Sequence, residues 1–155
     1  PTFMPAFSPL QFRRIVRASA VYDLVVTVPF ATPWSFALAF GQLDTANQAL
    51  GGGALPAFAP LHTLFALLMG SVVLVWSLAR LRTPTVSLGR HDAAARALFS
   101  AWMLWAWGQT GAPVLLLFLL PEAAWGVVQA WPVRAADGSP EHSASRNRAF
   151  GGAAE

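Results

Sequence analysis

The chain has no cysteine and no lysine, and charge of either sign is scarce: seven acidic residues and ten basic ones, all arginine, make up 11% of 155 positions. Without thiols, disulfide exchange, thiolate nucleophiles and cysteine-held metals or iron–sulfur clusters are excluded. The shortage of charge excludes more. A water-soluble domain carries about a quarter charged residues to cover its surface, whereas here 55% of the residues are hydrophobic and the mean hydropathy is +0.51. The three histidines, His62, His91 and His142, fall in three separate regions, so no two imidazoles are expected to face each other across a haem. There is no Ser-His-Asp arrangement and no paired metal-ligand motif. The glycine run at 51–53 continues into Ala54, Leu55 and Pro56, not the Lys-Ser or Lys-Thr pair of a phosphate loop. No cofactor is expected.

What is present is ordered by the arginines. Arg13, Arg14 and Arg17 form one cluster, Arg80, Arg82, Arg90 and Arg96 a second, and Arg134, Arg146 and Arg148 a third, with two long apolar stretches between them. Cytoplasmic segments keep basic residues and translocated ones lose them. The spacing therefore predicts an all-α fold, a four-helix transmembrane bundle that crosses a bacterial inner membrane and returns twice, with both termini cytoplasmic. A pI near 11.1 would suit nucleic acid, but these arginines flank apolar segments, where anionic headgroups attract them. No basic stripe interleaves exposed aromatics in the manner of a phosphate-tracking groove. The expected partners are the lipid bilayer and either a second copy in a homodimer or a larger membrane protein, with no nucleic acid.

The spans are expected over 15–33, 61–79, 93–109 and 113–131. About 20 residues cross the hydrocarbon core, so the apolar run from Ile15 to Phe40 is too long for one straight helix. Pro29 and Pro33 lie one turn apart and remove backbone donors, which predicts a kink there. An amphipathic helix on the outer surface is then expected over 33–50, with Asp44, Asn47 and Gln48 on its polar side. The segment from Arg80 to Arg96 reads as a short basic linker, with Asp92 as the N-cap of the third span. Thr110, Gly111 and Ala112 make so short a turn that the last two helices must be antiparallel neighbours. Residues 1–134 are expected to form the membrane domain and residues 135–155, polar and aperiodic, a disordered cytoplasmic tail. The first apolar run lacks a clear cleavage site and is expected to stay as an anchor.

Carboxyls inside spans are costly and point to function, which singles out Asp23 and Glu122. Counting 1.5 Å per residue from the flanking arginines puts Glu122 near the midplane and Asp23 nearer the cytoplasm. On that count Asp23 can pair with Arg17, Arg80 or Arg96, while Glu122 lies beyond easy reach of any arginine, so it either keeps a proton or opens to water. The two carboxyls are not expected to form one pair. Glu122, Trp125 and Gln129 share a helix face, as do Ser19, Asp23 and Thr27. Trp76 and Trp102 fall near the depth of Asp23, which predicts an aromatic-walled pocket opening toward the cytoplasm; the deeper tryptophans read first as core, with an aromatic cage for an organic cation beside Asp23 as the alternative. Three roles fit. The first is a non-enzymatic accessory or assembly subunit of a larger membrane system. The second is a small proton- or cation-coupled carrier that uses Glu122 and Asp23. The third is a membrane enzyme that brings the same carboxyls to a lipid-soluble substrate.

Overall fold

In the computed structural model the described residues, 6–134, form an all-helical fold with no strand beyond one isolated bridge. The order is α1 (Pro9–Thr27), a 3-10 turn (Val28–Ala31), α2 (Pro33–Ala49), α3 (Pro60–Arg82), α4 (Val86–Thr110) and α5 (Val114–Ala130). The polar segment expected as a tail lies outside the described residues.

Local chemistry sets each boundary. Ser8 caps α1 by accepting from the Gln11 amide, and the Gln11 side chain returns the bond to the Ser8 N–H. This moves the helix start well ahead of the expected Ile15. Pro29 and Pro33 do break the first apolar run: the 3-10 turn separates two helices bent by 109°. Thr32 then caps α2 through the Ser35 amide at 3.1 Å. Gly51, at φ 86°, takes the left-handed conformation just after α2. Gly111, at φ 63°, does the same after α4, so the three-residue turn before α5 is tight.

The expected linker between the second and third spans is mostly helix. Thr85, not Asp92, is the N-cap of α4, accepting from the Leu88 amide at 3.1 Å. Asp92 lies inside the helix and is buried. Nor does Asn47 face outward. It is 1% exposed, its Nδ2 donates to the Gly53 carbonyl at 2.7 Å, and its Oδ1 accepts from the Val114 amide at 3.1 Å, capping α5 from another helix.

α1 packs along α3, and α4 packs most extensively on α5, while α1 also touches α4 and α5. α3 and α4, consecutive in the chain, are not packed along one another. Two seams tie the structure at one end. The Phe7 amide donates to the Pro132 carbonyl and the Arg134 amide to the Phe7 carbonyl, both at 2.9 Å. Arg90 donates to the carbonyls of Gln129 and Trp131 at 3.0 and 2.9 Å, and Arg13 donates to that of Pro84 at 2.8 Å. Phe36, Phe40 and Phe58 cluster with ring centroids 4.8 to 6.0 Å apart and hold α2 to the loop that follows it.

The distribution of polarity is inverted. Phe12, Val16, Ala20, Phe36, Ala112 and Val114 are the buried hydrophobic residues, and they are outnumbered by buried Ser19, Asp23, Asn47, Ser77, Arg80, Asp92, Arg96 and Gln129. Large apolar side chains on every helix face outward, among them Leu10, Val25, Leu38, Val75, Leu98 and Leu120. One helix among the described residues, α3, is by itself long and apolar enough to cross a membrane. α1 and α2 pass the same test together as a bent pair, and α5 is apolar but shorter, at 17 residues.

At Gly70 the backbone of α3 presses against the 3-10 turn. A Cβ there would sit 2.5 Å from the Phe30 Cβ and 2.9 Å from its carbonyl oxygen. Gly70→Val is expected to cost about 1–3 kcal/mol of stability through overpacking. Gly108→Ala, whose Cβ would meet nothing within 4 Å, serves as the control. Thermal unfolding of the two variants checks this, and equal midpoints would refute the close approach.

Candidate functional site

The centre of the molecule is an ionic network made by four helices. Arg80 of α3 donates through Nη2 to Asp23 of α1 and through Nη1 to Asp92 of α4 at 2.5 Å. Arg96 of α4 reaches three carboxyls. Its Nη2 lies 2.7 Å from both Asp23 oxygens, its Nε 3.0 Å from Asp92 one turn back, and its Nη1 2.7 Å from Glu122 of α5. Neutral groups complete the shell. Trp76 Nε1 donates to Asp92 at 3.0 Å, Arg80 donates to the hydroxyls of Ser19 and Ser77, both at 3.1 Å, and Gln129 Nε2 donates to Ser19 at 2.5 Å. The Arg80 side chain is wholly buried and that of Arg96 is 2% exposed.

Burying two guanidiniums with the carboxylates of Asp23 and Asp92 strips them of water, a cost of several kcal/mol per ion that only close pairing offsets. The geometry meets that demand for Asp23 and Asp92, each of which takes donors from both arginines. Glu122 is held less completely: its Oε2 faces Arg96, and its side chain is 15% exposed. With all five groups ionised the network carries a surplus of one negative charge. Two buried atoms next to it, Arg80 Nε and Gln129 Oε1, lack a hydrogen-bond partner among the described residues.

The expectation that no arginine reaches Glu122 is thus corrected, as is the separation of the two carboxyls. The reason is the length of α4. Because the helix begins at Val86, Arg96 stands ten residues inside it, about 15 Å from its start, at the level of Glu122 and not at the helix end. Asp23 and Glu122 accordingly meet through one guanidinium. Of the other predicted site residues, Gln129 and Trp76 belong to the network. Trp125 lies beside it, its ring 6.2 Å from that of Tyr22. Trp102 is 64% exposed and faces away. Asp92, Arg80 and Ser77 complete the site. The Asp92–Arg96 spacing of four residues was the available signal for the first of these, since it places both on one helix face.

A cavity of about 420 Å³ adjoins the network in the gap between α3 and α4. Asp23, Asp92, Arg96 and Glu122 form its polar end, and Met69, Val72, Val73 and Phe99 its apolar wall, with Trp76 and His91 between. Its size is that of an ordinary small-molecule site. Among the described residues no cluster of three or more His, Asp or Glu is arranged to hold a metal ion. Compared with known protein families, curated proteins and solved structures, the chain finds no match.

Removing one member of such a network strands the others. Arg80→Met is expected to destabilise the fold by about 3–5 kcal/mol, because it leaves three carboxylates around one guanidinium. Arg82→Met, two residues on and exposed, is expected to change little. Chemical unfolding of both variants checks the contrast, and a mild effect at Arg80 would mean that the network does not hold the fold.

Proposed function

We propose that the chain is a four-span inner-membrane protein with both termini in the cytoplasm, and that it works as a small proton- or cation-coupled carrier. The inverted polarity supports the membrane setting. An apolar exterior around a core of paired ions is unfavourable in water, where contiguous exposed apolar surface drives association, and suits hydrocarbon, where ionisable groups turn inward and pair. α1 and α4 carry charges that lower their mean hydropathy, yet Asp23, Asp92 and Arg96 lie inside and bond one another. Arg13, Arg14 and Arg17 are exposed near the start of α1, where headgroups would meet them.

The observation that carries the carrier reading is the cavity whose polar end is the incompletely neutralised network. A surplus negative charge in a low-dielectric interior is neutralised by a proton or by a bound cation. Two occupants competing for one charge is the basis of coupled exchange. Glu122, with one oxygen on Arg96 and a partly open side chain, is the carboxyl best placed to exchange them, and His91 lines the same cavity.

A second reading, the accessory or assembly subunit, draws on the opposite side of α4. Ala93 and Ala97 of α4 with Ala123, Gly126 and Ala130 of α5 line an open groove of about 320 Å³ that Arg96 and Glu122 also border. Small residues of this kind let a further helix approach closely in a membrane.

Two measurements separate these readings. In proteoliposomes the carrier reading expects a cation gradient to drive proton movement, and Glu122→Gln, at equal incorporation, to slow it at least tenfold. Absence of flux in the unmodified protein, or its survival in the variant, ends that reading. The accessory reading instead expects a larger complex or dimer that persists through purification and is lost on Ala97→Phe.

A further inference from the structure

Resting on the carrier reading of the same site, we infer that the cavity takes a singly charged organic cation with an apolar body, and that this ligand reaches it sideways, from the lipid, through the gap between α3 and α4.

The charge selects the head. The carboxyls of Asp23, Asp92 and Glu122 and the guanidinium of Arg96 line the polar end, and with Arg80 buried directly behind them the network sums to one negative charge. An arriving anion meets net negative charge in a medium that screens it little. A monocation restores neutrality. Trp76, which already bonds Asp92 through its indole nitrogen, adds an aromatic wall beside the carboxyls, a second feature that favours a cation.

The walls select the body. Met69, Val72, Val73 and Trp76 fall at helical spacing on one face of α3 and span about 10 Å. Ala95 and Phe99 extend the opposite wall on α4. These apolar side chains offer no polar partner for a small hydrated ion, and beyond the arginine-bound carboxyls the lining adds Thr27 and His91, so an inorganic cation would exchange a full water shell for few oxygens. An alkyl or aryl body fills the same space favourably.

The opening sets the route. At the rim Val72 is 64% exposed and Met69 55%, so the cavity opens through the side of the bundle, among the outward-facing apolar residues. A ligand dissolved in the surrounding lipid therefore enters without crossing a polar barrier.

Decyltrimethylammonium is a suitable probe, with decyl sulfate as the anion of matching body. Binding would be measured by equilibrium dialysis on the purified full chain in phosphatidylcholine nanodiscs, after subtraction of uptake by empty discs. One saturable site per chain is expected for the cation and none for the sulfate. Glu122→Gln should weaken binding at least tenfold. Val72→Trp, at the exposed rim where the core need not make room, should block it with the ionic network intact. Equal binding of both amphiphiles, no saturable component, or full binding in both variants would overturn the inference. Saturable binding without proteoliposome flux would leave the ligand class standing and remove the carrier, whereas coupled flux of a small inorganic cation without amphiphile binding would do the reverse.

Discussion

Two guanidiniums surrounded by three carboxylates, away from water, are the constraint on which the rest of this structure depends. Each of the four helices that contribute is held at a fixed rotation about its axis, because a quarter turn would withdraw its charge and strand the others. Apolar contacts in a bundle that also faces outward with leucine and valine set no such rotation, since one apolar face serves nearly as well as another. The shortage of buried hydrophobic side chains is therefore no weakness. Directional bonds supply the specificity that a close-packed core supplies elsewhere.

The same constraint explains details that otherwise look unrelated. Ser19 and Ser77 are short hydroxyls at the points where a longer side chain would push a guanidinium off its carboxylate. Asn47 caps α5 from α2 at the other end of that helix, so the helix bearing Glu122 is anchored at its start as well as by its charge. The pressure of Phe30 on Gly70 brings the 3-10 turn against α3 and so sets how closely the helices bearing Asp23 and Arg80 approach.

Much of this architecture was legible from residue order. Pro29 and Pro33 announced the break after α1, because each lacks a donor that a continuous helix needs. The short turn at Thr110 to Ala112 announced the antiparallel α4–α5 pair. Asp23 and Glu122 stood out as carboxyls in apolar runs. What misled was a rule about charge at span ends. The stretch from Arg80 to Arg96 lies between two apolar runs, so it reads as a basic linker ending in a cap at Asp92, while in the fold it is largely helix and Arg80, Asp92 and Arg96 turn inward. A depth count that starts from the flanking arginines takes them as markers of span ends and so cannot place Arg96 beside Glu122, because the helix starts earlier than its hydrophobicity does. The unexpected role of Asn47 has the same origin: capping across helices depends on tertiary approach and leaves no local pattern.

The fastenings at the two ends of the molecule have a mechanical consequence. α1 with α3 and α4 with α5 form two pairs; the bonds joining Phe7 to Pro132 and Arg134, and Arg13 to Pro84, fasten them at one end, and Asn47 of α2 fastens the start of α5 at the other. Two arms pinned at both ends hold the groups between them at a set spacing. Within the network the first arm contributes Asp23 and Arg80, which balance, and the second contributes Asp92, Arg96 and Glu122, which hold the whole excess. Any parting of the arms draws Arg80 from Asp92 and Arg96 from Asp23 together, so the spacing of the arms and the electrostatic balance between them are one coordinate.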